Sequence, residues 1–118
     1  MGVTTIARDF VALRRSGKFE EAGRKYWSPD VVSREPMGNM VEARGIPAVA
    51  GKGEWWNANH EVRGFEVNGP YVMGDRFVGR FVMDIKPKAG DRTTMDEIGV
   101  CTVADGKIVE ESFVYLAA

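Results

Sequence analysis

One cysteine and one histidine are all that this 118-residue chain offers of the two residue types most often found at reactive and metal centres. With Cys101 alone no internal disulfide can form, which fits a reducing compartment. With His60 alone no histidine-rich metal site can form, and CxxC, HExxH and GxSxG motifs are absent. "GKGEWW" at 51–56 holds two glycines but no third at dinucleotide spacing, and no Lys-Ser/Thr pair for a phosphate loop. Charge of one sign is lacking too. The net charge is −1, with no block of like charge, so there is no electrostatic footprint for nucleic acid. No stretch approaches the ~20 apolar residues of a membrane span. The start, "MGVTTIARDF", lacks the apolar core of a signal peptide, and Ile6 stands where myristoylation needs Ser or Thr. These absences predict a soluble cytoplasmic protein with no metal, no cofactor, no membrane contact and no nucleic-acid partner.

What is present suffices for one core. The length suits a single domain over 1–118, and 44% of the residues are hydrophobic. Ile6, Phe10 and Leu13 recur at helical spacing, and Ser16-Gly17 closes that segment. A second helix carries Phe19, Ala22, Gly23 and Tyr26 on one stripe, with Pro29 marking its end. "VVSRE" at 31–35 reads as a short strand, and 36–45 as a loop. Ile46, Val49, Gly53, Trp56 and His60 then define one face of a third helix that ends near Asn59.

Beyond it the period changes from helical to alternating. "EVRGFEVNGPY" predicts a strand stopped by Asn68-Gly69-Pro70. In "DRFVGRFVMDIKP", Phe77, Phe81, Met83 and Ile85 dominate one parity, and Arg76, Arg80, Asp84 and Lys86 the other. "RTTMDEIGVCTV" and "KIVEESFVY" follow, joined by Asp105-Gly106, a pair that suits a type I′ hairpin turn. The order is helix, helix, strand, helix and a long antiparallel meander: an α+β fold with three N-terminal helices packed on a curved, mainly antiparallel sheet.

That order resembles the NTF2-like superfamily and, within it, the SnoaL-like group. The resemblance rests on "FVALRRSGKFEEAGRKYWSPDVVSREPMG", "EWWNANHEV", "TMDEIGVCTVADGKIVEESFVY" and, more loosely, "GDRFVGRFVMDIKPKAG". It implies a cone-shaped, cystatin-like barrel with an internal pocket, and a homodimer formed through the outer sheet face. The relatives include ketosteroid isomerases, polyketide cyclases, epoxide hydrolases and dehydratases, along with members of no known catalysis. The isomerases use an aspartate base with a tyrosine and a protonated aspartate as donors. Here Glu35 falls near the place of the base, and the first helix carries Phe10 with no matching tyrosine.

Four ionisable residues are candidates for acid–base work. Glu35, at the end of a strand before Pro36, suits a base or a water activator once a pocket desolvates it; an exposed carboxylate paired with Arg34 or Arg44 is the plain alternative. His60 can stack on Trp56 four residues earlier and serve as acid, base or donor. Asp96 and Glu97 are adjacent in a strand and must point to opposite faces. Glu97 is assigned to the pocket and Asp96 to a subunit interface or an arginine pair, against the alternative of two ion pairs with Arg76, Arg80 or Arg92. Asp84 is the reserve. Trp56, Trp55, Tyr26, Met95, Phe113 and Tyr115 are candidate ligand contacts. Together they predict a pocket for a small apolar or aromatic molecule, with cofactor-independent isomerase, cyclase, dehydratase or hydrolase chemistry. The alternative is a non-catalytic ligand-binding or dimerisation module.

Overall fold

A computed structural model describes residues 2–37 and 41–116. Helix α1 (Val3–Arg15) buries Ile6, Ala7, Phe10, Val11 and Arg14. It ends as Ser16-Gly17 predicts. Gly17 takes φ +79°, its N–H reaches the Arg14 carbonyl at 2.9 Å, and the Lys18 N–H reaches Leu13 at 2.9 Å. That is the double bond of a Schellman turn, which needs a left-handed residue at this point. Helix α2 (Phe19–Tyr26) carries Glu20 and Glu21 in its first turn and Arg24 and Lys25 in its last, both favourable to the helix dipole.

The chain runs from α2 directly into β1 (Trp27–Arg34). Pro29 therefore lies inside a strand rather than ending a helix. It falls in the irregular stretch between Trp27 and Val32, where pairing with β6 shifts register, so its missing N–H breaks no regular ladder. Part of the segment read as loop forms β2 (Glu42–Arg44), paired antiparallel with β1. Residues 38–40 of that segment lie outside the described residues. Helix α3 (Ile46–Asn59) has the predicted span, with Pro47 in its first turn, and His60 opens the next strand. Gly51, one of its two mid-helix glycines, has nothing within 4 Å of where a Cβ would sit. Gly51→Ala is therefore expected to stabilise the protein by about 0.5–1 kcal/mol through helix propensity, seen as a higher urea midpoint.

Strand β3 (His60–Met73) passes through Asn68-Gly69-Pro70 without stopping. The register with β4 slips between Asn68 and Tyr71, so the turn-like tripeptide makes a bulge. Arg15 holds it from α1, donating to the carbonyls of Val67 (3.2 Å) and Gly69 (3.1 Å). Strands β4 (Arg76–Pro87), β5 (Thr93–Ala104) and β6 (Lys107–Tyr115) complete the meander. Asp105 (φ +52°) and Gly106 (φ +76°) make the β5–β6 turn, both left-handed as a type I′ turn requires.

The six strands lie in the order β2-β1-β6-β5-β4-β3, antiparallel except for β1 beside β6. The sheet is curved but does not close: β2 and β3 remain edges, so the expected barrel is an open half-cone. Phe77, Phe81, Met83 and Ile85 are buried on its inner face as their parity predicts. Phe10 packs edge-on to Phe77 (5.8 Å) and Tyr26 (6.3 Å), seating α1 against the sheet. The opposite parity carries ion pairs such as Arg80–Asp96 (2.7 Å). Among the described residues, no helix is long and apolar enough to cross a membrane.

Candidate functional site

Between the helices and the inner sheet face lies a cavity of about 650 Å³. The β-ladder explains what it exposes. Phe81, Glu97 and Tyr115 stand in register on β4, β5 and β6, one row across the inner face. Met83 and Met95 form the next row, and Phe113 lies opposite Gly99. A Cβ on Gly99 would sit 3.0 Å from the Phe113 ring, so the glycine leaves room for that ring to lie flat. Ser33 of β1 and Glu35, the residue that follows the strand, line the cavity on one parity, and α3 adds Val49, Lys52 and Trp56.

Two groups of charges are set into this apolar hollow. The first is a buried ion pair. Arg14 of α1 meets Glu111 of β6 at 3.1 Å, with Glu111 only 2% exposed. The Trp27 indole N–H donates to the same carboxylate, and the Arg14 guanidinium lies 4.3 Å from the Phe10 ring centroid. Gly23 permits this: the Trp27 ring occupies the space a Cβ would need. The second group is a chain at the end of β1. Lys52 Nζ donates to Glu35 Oε1 at 3.0 Å and also to the Ser33 hydroxyl. The Tyr115 hydroxyl donates to Glu35 Oε2 at 2.5 Å. Burial and this bond to Glu35 hold the phenol well above its usual pKa, so Tyr115 stays protonated.

Glu97 stands apart from both. Among the described residues it has no hydrogen bond and no ion pair. Burial, reinforced by the nearby Glu35 charge, pushes its pKa up from 4.5 to about 7, against weaker opposing pulls from Arg14 and Lys52. It is a carboxyl that can hold or release a proton near neutral pH.

Of the residues singled out from the sequence, Glu35, Glu97, Trp56, Met95, Phe113 and Tyr115 line this one cavity. The others do not. Asp84 faces outward and pairs with Arg92 at 2.5 Å, and that bond lowers its pKa. Tyr26 is buried away from the cavity, its hydroxyl donating to Asp9, which Lys25 also holds at 2.6 Å. Trp55 is 48% exposed, about 100° around α3 from Trp56. His60 does stack on Trp56 (4.4 Å, 13°), but it does not itself line the cavity. Its Nδ1–H donates to the Trp56 carbonyl at 2.8 Å. Asp96 bonds Arg80 on the outer face, so the two adjacent acids split between an arginine pair and the cavity.

Sequence reasoning missed Arg14, Ser33, Lys52 and Glu111. A signal existed for each. Arg14 continues the Ile6–Phe10 stripe, Ser33 shares the parity of Glu35, Lys52 lies between Val49 and Trp56 on their helix face, and Glu111 shares the parity of Phe113 and Tyr115. Cys101 is buried in the core opposite Glu111, and burial raises its thiol pKa well above the usual value, which favours the neutral thiol. Among the described residues, no cluster of His, Cys, Asp and Glu gathers that could hold a metal ion.

A six-stranded curved sheet wrapped around three helices over such a cavity is the NTF2-like, cystatin-like fold. A SnoaL-like domain model matches residues 1–115, and the chain belongs to that family. Among solved structures, a protein from Mesorhizobium loti named as a SnoaL-like polyketide cyclase and, in brackets, as a carbohydrate phosphatase shares 47% identity. The match covers 98% of this chain and all of that one, with a TM-score of 0.95. An NTF2-like protein of unknown function from Burkholderia pseudomallei (15% identity, 98% and 92% covered, TM-score 0.78) shares the fold. So does a SnoaL-like protein from Jannaschia sp. CCS1 (17% identity, 98% and 88% covered, TM-score 0.70). No match is found among curated proteins.

Proposed function

We propose that the cavity binds a small, largely apolar carbonyl compound and exchanges a proton with the carbon beside its carbonyl, without a cofactor. The observation that carries this reading is Glu97: an unpaired carboxyl in an apolar hollow, with a pKa near the pH at which a general base works best. Glu35 is less suited to that role, because Lys52 and Tyr115 already occupy its two oxygens. The Lys52 ammonium and the Tyr115 hydroxyl, which converge on Glu35, are the donors available to a ligand oxygen that acquires negative charge. Phe81, Phe113 and Trp56 give flat walls for an aromatic body, and the volume suits a ligand of drug-like size. The name carried by the Mesorhizobium loti relative pairs polyketide cyclase with carbohydrate phosphatase, and the first of the two agrees with a polycarbonyl substrate.

The test is deuterium exchange at the α-carbon of neutral aryl ketones, followed by NMR at pH 7.5. Glu97→Gln should lower the catalysed exchange rate about 10²–10⁴-fold while the fold is retained. Exchange that survives in Glu97→Gln but fails in Glu35→Gln would return the base role to Glu35. Ketone binding without any catalysed exchange would leave a binding module.

A further inference from the structure

Lys52 can do more in this cavity than donate a hydrogen bond to a ligand oxygen. Lysine sits mid-helix between two glycines, on the face that Val49 and Trp56 turn inward, and its side chain is only 16% exposed. Neither glycine would bring a Cβ within 4 Å of anything, so the backbone on both sides of the lysine stem is bare. Its amine lies 5.1 Å from the Phe113 ring centroid and 3.0 Å from a carboxylate oxygen able to take its proton. The other five lysines (18, 25, 86, 88 and 107) are all exposed. We propose that Lys52 is a covalent catalytic residue, whose amine condenses with the carbonyl carbon of the ligand to give an iminium ion. This rests on the reading that the cavity takes carbonyl compounds, and adds a covalent bond to it.

The chemistry balances with groups already in the cavity. The Lys52 ammonium and the Glu35 carboxylate form an ion pair at 3.0 Å. A ligand that expels water makes that pair costly relative to its neutral form, so the proton passes from Nζ to Glu35. The free amine attacks the carbonyl carbon, forming the C–N bond, and one amine proton moves to the oxygen. Protonated Glu97 then gives its proton to the hydroxyl of this carbinolamine. The C–O bond breaks, water leaves, and the iminium forms. The Glu97 carboxylate takes a proton from the adjacent carbon to give the enamine, which restores its own protonated state. No oxidant, reductant or metal enters, and the iminium makes that carbon far more acidic than the parent ketone does. Desolvated lysines are the ones that carry out such chemistry.

The probe is benzoylacetone, a neutral aryl 1,3-diketone. With an amine it loses one water and gives a stable enaminone that absorbs in the near ultraviolet. Wild-type protein is incubated with it at pH 7.5, followed by absorbance, and digested for peptide mapping by mass spectrometry. The adduct is expected on Lys52, formed about tenfold or more faster than on any exposed lysine, since the cavity holds both partners together. Lys52→Arg keeps the charge and the partner for Glu35 but cannot form an enaminone, so it should lose that adduct while its circular dichroism and urea midpoint stay near wild type. Labelling of Lys52 no faster than of Lys86 or Lys88, or unchanged absorbance in Lys52→Arg, would overturn the proposal. Glu97-dependent deuterium exchange that persists in Lys52→Arg would also overturn the covalent step and leave the non-covalent reading of the site standing.

Discussion

Glu111→Leu should lower the folding free energy by about 3–5 kcal/mol, one of the largest losses any single substitution in this protein can cause. The substitution is close in size, so little cavity opens; the loss comes from charge. Arg14 is buried, and among the described residues its Nε has no hydrogen-bond partner. Removing Glu111 would leave a guanidinium in an apolar site with aromatic faces and only the weaker pull of Glu97 to offset it, and would also strip the Trp27 indole of its acceptor. Domains of this size are stable by about 5–15 kcal/mol, so the variant should be near the edge of folding. Arg14→Met combined with Glu111→Leu should recover most of the loss, because a neutral apolar pair replaces the ion pair without an orphaned charge. Urea midpoints of the two variants, read at unchanged m-values, decide this. A single Glu111→Leu variant as stable as the parent would mean that Arg14 swings out to water, and that the pair does not hold α1 to β6.

This ion pair also shows where the sequence was legible and where it was not. Local chemistry was readable. Ser16-Gly17 and Asp105-Gly106 demand left-handed backbone and received it, and the alternation through Phe77–Ile85 could settle on only one face. Where tertiary context overrode local preference, reading failed. Pro29 sits in a strand because the β1–β6 ladder is already broken there, and Asn68-Gly69-Pro70 bends an edge strand that continues past it. Within the site the difficulty was one of charge. Arg14, Lys52 and Glu111 follow the apolar periodicity of their own elements, yet a charged residue on a buried stripe is ordinarily taken as a surface position. A fold that encloses a hollow reverses this inference, because its inner face has room for paired charges. Asp84 and His60 fail for the opposite reason. Their residue types suggest chemistry, but an outer-face arginine and a helix-end carbonyl already engage them.

Glu97→Gln should make the protein more stable at neutral and alkaline pH, by about 3 kcal/mol, and equally stable in acid. The carboxyl holds its proton up to about pH 7 in the folded state, against 4.5 as the ordinary value. By linkage, a group that binds its proton more tightly when folded stabilises the fold fully below pH 4.5. That contribution is lost as the pH rises from 4.5 to about 7, at about 1.4 kcal/mol for each pH unit. The amide has no charge to desolvate, so its variant should not show this decline. Carboxylates with lowered pKa values, at Asp9, Asp84, Asp96 and Glu110, act in the opposite sense at lower pH. They are common to both proteins and cancel in the difference. The measurement is the urea midpoint of each protein from pH 4 to pH 8. A difference that grows between 4.5 and 7 and then levels off identifies Glu97 as the desolvated group, whereas a flat difference would mean that water reaches it. Set beside the exchange experiment, the prediction is of a variant that folds better and turns over less. That combination is what a carboxyl kept unpaired for proton transfer should produce, since the same missing partner that destabilises its charge near neutral pH leaves it free to take a proton from a ligand.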